Sequence, residues 1–142
     1  MKKLIKPIFI LLLGILFGYY ICEVKPLDIF ITKYKAFQVG VYTSLDAATI
    51  YSTKYKNATI IQDNELYRVY VAILKDKNNI ENMSKYLDSE GIDYYLKDIN
   101  IDDKNLKRLI NEYENVMNSE SEIVFLEMNK LIMEKYKESL WN

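Results

Sequence analysis

Few side chains in this sequence are suited to acid–base or nucleophilic chemistry. The chain has 142 residues, with no histidine and one cysteine, Cys22. Without an imidazole, neither a histidine-dependent nucleophile nor the usual histidine-containing zinc site can form. The carboxylate pairs Asp102–Asp103 and Glu120–Glu122 fall where helices are predicted to begin, so interaction with the helix dipole accounts for them. The sequence therefore predicts a protein that is not an enzyme and uses no cofactor or metal.

The composition favours one modest domain that does not bind nucleic acid. Hydrophobic residues make up 50% of the chain, which is enough to bury a core at this length. The formal net charge is -1, so the chain lacks the excess of positive charge with which proteins grip phosphates. Thirteen tyrosines are an unusual number. Whether a tyrosine ring can contact a ligand depends on the strand or helix that contains it.

The N-terminus has the pattern of a membrane anchor. Lysines precede an apolar run from Ile8 to Cys22, which reaches a spanning length of roughly 20 residues if Lys6 extends to the headgroups. A cleaved signal peptide is the rival interpretation, but bulky Ile21 stands where a cleavage site needs small residues. Residues 1–25 are therefore predicted to be a cytoplasmic tail and transmembrane anchor. Positive flanks stay in the cytoplasm, so the rest of the chain is expected outside the cytoplasmic membrane.

A spacer, residues 26–34, leads to two strand–helix–strand units. The first helix is capped by Ser44 and runs toward Lys56. The second begins with a capping box of Asn78 and Glu81 and ends in a left-handed cap at Gly91. The predicted strands, which show apolar alternation or β-branched runs, are residues 35–42, 58–62, 66–73 and 92–99.

This order of elements predicts a four-stranded sheet with both helices on one face, which leaves the other face open. A set of non-core positions on three strands is expected to meet on that open face: Gln38, Gly40, Tyr42, Leu66, Arg68, Tyr70, Tyr95 and Lys97. An open sheet face with aromatic side chains is typical of a binding surface. The alternative is that tyrosine simply fits a half-buried pleated surface.

Three segments in this region resemble the SPOR domain, a family of peptidoglycan-binding modules in bacterial division and sporulation proteins. Residues 38–42 (QVGVY) resemble its opening strand, residues 67–69 (YRV) its third strand, and residues 87–95 (LDSEGIDYY) its closing helix, glycine and strand. The match covers residues 35 to 99. It implies an RNP-like fold that binds glycan strands lacking stem peptides, and it implies no catalysis.

The resemblance also implies the residues that contact the glycan. Gln38 matches the family's opening glutamine and Arg68 its third-strand arginine, both of which face the glycan. Leu66 departs from the aromatic residue that is common two positions before that arginine, and Tyr70 or Tyr95 could compensate. The candidate glycan-binding residues are Gln38, Tyr42, Leu66, Arg68, Tyr70 and Tyr95.

Beyond the SPOR-like domain, residues 35–100, the C-terminal extension of residues 101–142 is predicted to be helical. Apolar residues recur at helical spacing from Leu106 to Met117 and again from Phe125 to Tyr136. The two helices are expected to form a hairpin that packs on the domain or on each other. Two further possibilities are a docking surface for a partner protein and a cover over part of the open sheet.

The sequence as a whole predicts an α+β architecture with a transmembrane helix, a βαββαβ domain and a C-terminal helical hairpin. The leading hypothesis is a single-pass protein of the cytoplasmic membrane whose outer domain binds peptidoglycan glycan strands at division or sporulation sites. The alternative is a protein-interaction subunit of a cell-envelope complex that uses residues 101–142 for docking and binds no glycan. RNA binding is disfavoured because the aromatic-rich RNP sequence is absent and the outer region is acidic.

Overall fold

The computed structural model of the chain describes residues 33–118 and 121–140, which belong to one compact unit. The predicted anchor, residues 1–25, and most of the spacer lie outside the described residues. Within the two described ranges, no helix is both long enough and apolar enough to cross a membrane.

The described residues form an α+β domain, as the sequence predicts at this level. Its first six elements follow the order βαββαβ, and two longer helices follow them. The elements are β1 (Tyr34–Tyr42), α1 (Leu45–Ser52), β2 (Thr59–Asp63), β3 (Leu66–Leu74), α2 (Lys77–Ser89), β4 (Tyr95–Ile99), α3 (Lys104–Met117) and α4 (Glu122–Ser139).

The four strands form one antiparallel sheet in the order β2-β3-β1-β4. β1 and β2 run in the same direction and are separated by β3. β3 and β4 also run in the same direction and are separated by β1. Each of these pairs is connected through a helix, and right-handed crossovers place α1 and α2 on the same face. The predicted sheet is confirmed, although β4 begins at Tyr95 and not at Ile92.

Two of the predicted helix ends are confirmed. The Ser44 hydroxyl accepts a hydrogen bond from the backbone N–H of Ala47 at 3.2 Å, which caps α1. Gly91 has φ +66°, a left-handed conformation that glycine adopts without the steric cost of a Cβ. The N–H of Ile92 then donates to the Leu87 carbonyl at 2.9 Å, which closes the end of α2.

The predicted start of α2 is wrong by two residues. Asp76, not Asn78, is the N-cap, and its carboxylate accepts from the backbone N–H groups of Asn78 and Asn79 at 3.0 and 3.1 Å. A carboxylate at this position also interacts favourably with the helix dipole. Glu81 does not complete a capping box and pairs with Lys85 at 2.8 Å.

The pairing of β1 with β3 is irregular on both sides of Gln38. Gln38 lies opposite Tyr70, and the register leaves Val39 on β1 and Val71 on β3 with no residue opposite them in the ladder. An extra residue in one strand is a β-bulge, which bends the strand and shifts the later side chains to the opposite face. The alternation in each strand is therefore interrupted once.

We call the side of the sheet that bears Gln38, Asp63, Arg68 and Lys97 the polar face, since these side chains hydrogen-bond to one another. The opposite side, the helix face, packs against α1 and α2. Phe37 is fully buried, and its ring centroid lies 5.2 Å from that of Tyr94.

One hydrophobic core connects the sheet with α3 and α4, which also pack against each other. The core includes sheet residues Tyr34, Ala36, Phe37, Tyr70 and Ile73, and helix residues Leu106, Ile110, Met117, Phe125, Ile132 and Met133. Burying one large apolar side chain contributes about 1.5–3 kcal/mol. The C-terminal helices therefore stabilise the same domain as the sheet.

Glu114 of α3 joins this helix to the end of β3 and the start of α2. One of its carboxylate oxygens, Oε1, accepts from the backbone N–H groups of Lys75 and Asp76 at 2.7 and 2.8 Å. Asn79, which is fully buried, donates to the Glu114 carbonyl at 3.0 Å. Burial raises the pKa of Glu114 above its usual value, although the two backbone hydrogen bonds oppose that shift.

Asn129 of α4 makes a similar contact at the side of the sheet. The ladder between β2 and β3 stops at the pair of Thr59 and Tyr70, so the next carbonyl, that of Val71, lies beyond it. The Asn129 amide donates to this carbonyl at 3.0 Å. A buried carbonyl without a donor costs free energy, so α4 satisfies a group that β2 leaves unpaired.

Candidate functional site

The candidate site is a cluster of polar side chains at the centre of the polar face. Arg68 of β3 donates from Nη1 to Gln38 Oε1 at 3.1 Å and from Nε to Asp63 Oδ2 at 2.7 Å. Lys97 of β4 donates from Nζ to the same Asp63 oxygen at 2.9 Å. The cluster thus joins residues from all four strands, and it brings together Gln38 and Arg68, the two polar residues that the sequence singles out.

The contact between Lys97 and Asp63 crosses the whole face. β4 and β2 are the two edges of the sheet, and neighbouring strands lie about 4.8 Å apart. A lysine side chain can reach across two intervening strands only if the sheet is strongly curved, which the two bulges favour. The polar face is therefore concave where the cluster lies.

The electrostatics of the cluster keep Asp63 ionised. Hydrogen bonds from Lys97 and Arg68 and the charges of both side chains hold the pKa of the Asp63 carboxyl below its usual value. The side chains of Arg68, Lys97 and Asp63 are 22%, 33% and 36% exposed, respectively. All three charges are therefore partly shielded from water but accessible to a ligand.

Tyr95 and Leu66 border the cluster, as the sequence predicts. Tyr95 lies opposite Gln38 across the β1–β4 ladder, and 65% of it is exposed. Leu66 is half-buried and begins β3 directly after the turn at Asn64, whose φ of +57° asparagine tolerates better than most residues. An exposed ring beside hydrogen-bonding groups can cover the apolar face of a sugar.

Tyr42 is not part of the cluster, and the expectation that it shares a face with Gln38 is wrong. In the β1–β3 ladder Val41 lies opposite Arg68 and Tyr42 opposite Tyr67, so Tyr42 is on the helix face. Its ring stacks on Tyr51 of α1 at 5.0 Å. The bulge at Val39 causes the change of face.

The ring of Tyr42 also lies against Gly40, which is placed on the helix face by the same bulge. A Cβ at position 40 would come within 2.6 Å of the Tyr42 ring. Gly40 therefore serves the packing of Tyr42 on α1, and neither residue reaches the polar face, where the sequence had placed both.

Tyr70 lies beside Gln38 but is not open to a ligand, because only 3% of it is exposed. It belongs to the core shared with α3 and α4. Burial raises the pKa of Tyr136 of α4 to about 12, with a smaller contribution from the nearby Tyr70. The face is therefore partly covered, one of the possibilities that the sequence left open: the half that bears Tyr34, Ala36, Tyr70 and Ile73 is buried, and the half that bears the cluster is accessible.

Asp63 is the residue of the cluster that the sequence analysis missed. Its position before Asn64 suggested only a turn. The signal that could have found it is the hairpin itself, because Asp63 pairs with Leu66 and therefore shares a face with Arg68 two residues later. Lys97 was expected on this face, but its partner on the far edge strand could not be read from local spacing.

One residue of the predicted carboxylate pairs, Asp103, caps a helix, and Glu120 lies outside the described residues. Asp103 is the N-cap of α3 and accepts from the N–H groups of Asn105 and Leu106 at 2.7 and 3.1 Å. Glu122 lies in the first turn of α4. In the described part of the chain, no group of three or more His, Cys, Asp or Glu side chains is arranged to hold a metal ion.

A separate open groove of about 630 Å³ lies between α2, α4 and the loop after α1. Its lining includes the apolar side chains of Val71, Met83, Leu87 and Leu126. Ile123 at its edge is 76% exposed.

Comparison of the chain with protein-family models, curated proteins and solved structures finds no match.

Proposed function

We propose that this chain is a single-pass membrane protein whose outer domain binds peptidoglycan glycan strands, those poor in stem peptides, at division or sporulation sites. The observation that carries the proposal is the 3.1 Å hydrogen bond between Arg68 and Gln38 on the accessible half of the polar face. The SPOR resemblance gives these two residues the glycan-facing role, and they come from different strands.

The chemistry of the accessible half supports a sugar ligand. An amide and a guanidinium supply donors and an acceptor for hydroxyl and acetamido groups. The exposed ring of Tyr95 offers an apolar surface beside them. Of the aromatic residues predicted for the site, Tyr95 is the one that remains accessible, so we assign the stacking role to it and not to Tyr42 or Tyr70.

The proposal is tested by retention on purified sacculi. Full-length protein in detergent micelles is incubated with sacculi that are untreated or stripped of stem peptides by an amidase. We expect retention to rise with stripping, because the strands become accessible along their length. No retention on either preparation, from a sample shown to be folded by circular dichroism, would contradict glycan binding.

Replacing Gln38 and Arg68 by alanine is expected to weaken sacculus binding about tenfold or more and to leave the fold intact. Hydrogen bonds to a charged donor contribute roughly 1.5–3 kcal/mol, and about 1.4 kcal/mol corresponds to tenfold in affinity. The measurement is a binding isotherm on stripped sacculi together with a thermal unfolding curve.

The chain contains a matched control for this double substitution. Gln62 and Arg108 are its other glutamine and arginine, and both are exposed away from the cluster. Gln62→Ala with Arg108→Ala should bind as tightly as the unchanged protein. Equal binding by the two double variants would remove the site assignment.

The second candidate function is protein interaction within a cell-envelope complex. The groove between α2 and α4, with the exposed Ile123 at its edge, favours it. The sacculus experiment separates the two candidates, since this one predicts no retention on either preparation.

A further inference from the structure

The cluster on the polar face carries an excess of positive charge. Arg68 and Lys97 both donate to one oxygen of Asp63, at 2.7 and 2.9 Å. One carboxylate balances one of these two cations. The cluster itself therefore carries one net positive charge, although the whole chain has a formal net charge of -1.

Donors are left over on both cations. A guanidinium has five N–H groups, and the hydrogen bonds of Arg68 to Gln38 and Asp63 use two of them. An ammonium has three, and the hydrogen bond of Lys97 to Asp63 uses one. Because both side chains are partly exposed, these donors can receive an anionic group of a ligand without breaking the cluster.

Both carboxylate oxygens of Asp63 already accept hydrogen bonds within the protein. Its Oδ2 accepts from both cations, and its Oδ1 accepts from the Asn64 side-chain amide at 3.3 Å. Asp63 therefore holds the two cations in place on the polar face. The exposed ring of Tyr95, opposite Gln38, lies on the same half of the face as this site.

We propose that the polar face recognises a carboxylate on the sugar, with Lys97 and Arg68 as the residues that select it. This inference rests on the proposed glycan function and names the chemical group that the site reads. Hydrolysis of the amide that links a stem peptide to its sugar leaves a carboxylate on the lactyl group of the sugar and a free amine on the departing peptide. Stripped strands would thus be bound because they carry a free lactyl carboxylate, and not only because the stem peptide no longer blocks access to the sugar.

The test uses the full-length protein in detergent and three soluble oligosaccharides of equal length. The first is a stripped peptidoglycan glycan with free lactyl carboxylates, the second is the same glycan with its carboxylates converted to methyl esters, and the third is a neutral chitin oligosaccharide. We expect the free acid to bind about tenfold or more tightly than the other two. Its advantage should shrink as salt concentration rises.

Substituting Lys97→Met keeps an unbranched apolar stem and removes the charge. It should lower affinity for the free acid to near that of the ester, a larger loss than for the chitin oligosaccharide. Lys85→Met is the matched control, because Lys85 also pairs with a carboxylate, at 2.8 Å from Glu81, but on the exposed surface of α2. Lys97→Arg should restore the preference.

The outcomes separate this inference from the function on which it rests. Equal binding of acid and ester by the unchanged protein would overturn carboxylate recognition and leave glycan binding standing. Binding of none of the three sugars by a folded sample would overturn both. The comparison of ligands on the unchanged protein decides the question even if a Lys97 variant fails to fold.

Discussion

One carboxylate oxygen of Asp63 accepts hydrogen bonds from two cations that come from different strands. The turn at Asn64 fixes its backbone, and Arg68 lies on the adjacent strand of the same hairpin. An isolated surface ion pair contributes little, but a carboxylate held by two donors is restricted in position. Asp63 therefore orients the side chains that we assign to ligand binding.

Asp63→Asn is expected to reduce stability at neutral pH and to lose that effect in acid. The folded protein holds the pKa of Asp63 below 3.8, so its stabilising contribution is present above about pH 3.8 and disappears as pH falls through the lower folded value. Urea unfolding of both proteins between pH 2 and 7 measures the difference.

Asp93→Asn, at an exposed position before β4, serves as the control for this series and should show little change at any pH. A difference between the Asp63 variant and the unchanged protein that stays constant from pH 7 to pH 2 would show that the charge of Asp63 is not what stabilises the fold.

At the scale of elements, α3 is connected to the sheet by polar contacts as well as by the core. Glu114 accepts from the two backbone N–H groups where β3 ends and α2 approaches, and Asn79 of α2 donates back to the Glu114 carbonyl. The backbone N–H groups of Lys75 and Asp76 lie after the end of β3 and before α2, so neither element offers them an acceptor. The Glu114 carboxylate of α3 provides that acceptor.

Glu114→Ala should destabilise the protein by about 2 kcal/mol, because two partly buried backbone donors lose their acceptor. Glu112→Ala, at an exposed position of the same helix, should change stability far less. Chemical denaturation with circular dichroism detection measures both. Equal effects of the two substitutions would contradict the role assigned to Glu114.

The same residue gives a pH dependence of opposite sign to that of Asp63. Burial raises the folded pKa of Glu114 above 4.5, so the part of its stabilisation that is linked to protonation is fully present below about pH 4.5 and is lost as pH rises through the folded value. Relative to Glu114→Gln, whose side chain does not titrate, the unchanged protein should lose stability across that range. If the stability of the unchanged protein and that of Glu114→Gln depend on pH in the same way, the pKa of Glu114 is not raised in the folded state.

At the scale of the whole molecule, α3 and α4 are part of the domain and not an appendage to it. Their buried residues, such as Ile110 and Ile132, lie in one core with Tyr34 and Tyr70 of the sheet. The question left by the sequence, whether the extension covers the sheet or belongs to the core, is answered by this continuity. The two helices cover one half of the polar face and, by doing so, form the core with it.

Removing residues 101–142 is therefore expected to abolish cooperative folding. Truncation would expose Tyr34, Tyr70 and Ile73 and leave the Val71 carbonyl and the Lys75 and Asp76 amides without their partners. Thermal unfolding followed by circular dichroism, with hydrogen exchange of the strands, tests this. A truncated protein that folds and binds stripped sacculi more tightly would show that the helices act as a detachable cover.

Local patterns in the sequence determined much of the domain. Alternation, caps and turn residues were sufficient for the strands, for Ser44 and Gly91 at helix ends, and for the two C-terminal helices, because each depends on neighbours within a few residues. The same patterns placed Gln38 and Arg68 on one face before any strand pairing was known.

The tertiary structure decided which side chains share the accessible surface. The bulge at Val39 moves Tyr42 to the helix face, and a bulge arises from the pairing of two strands, which alternation in one strand does not reveal. The burial of Tyr70 and the pairing of Lys97 with Asp63 depend on residues more than 30 positions away in sequence. Periodicity reports which side of an element is apolar, but only the assembled fold sets what covers each side.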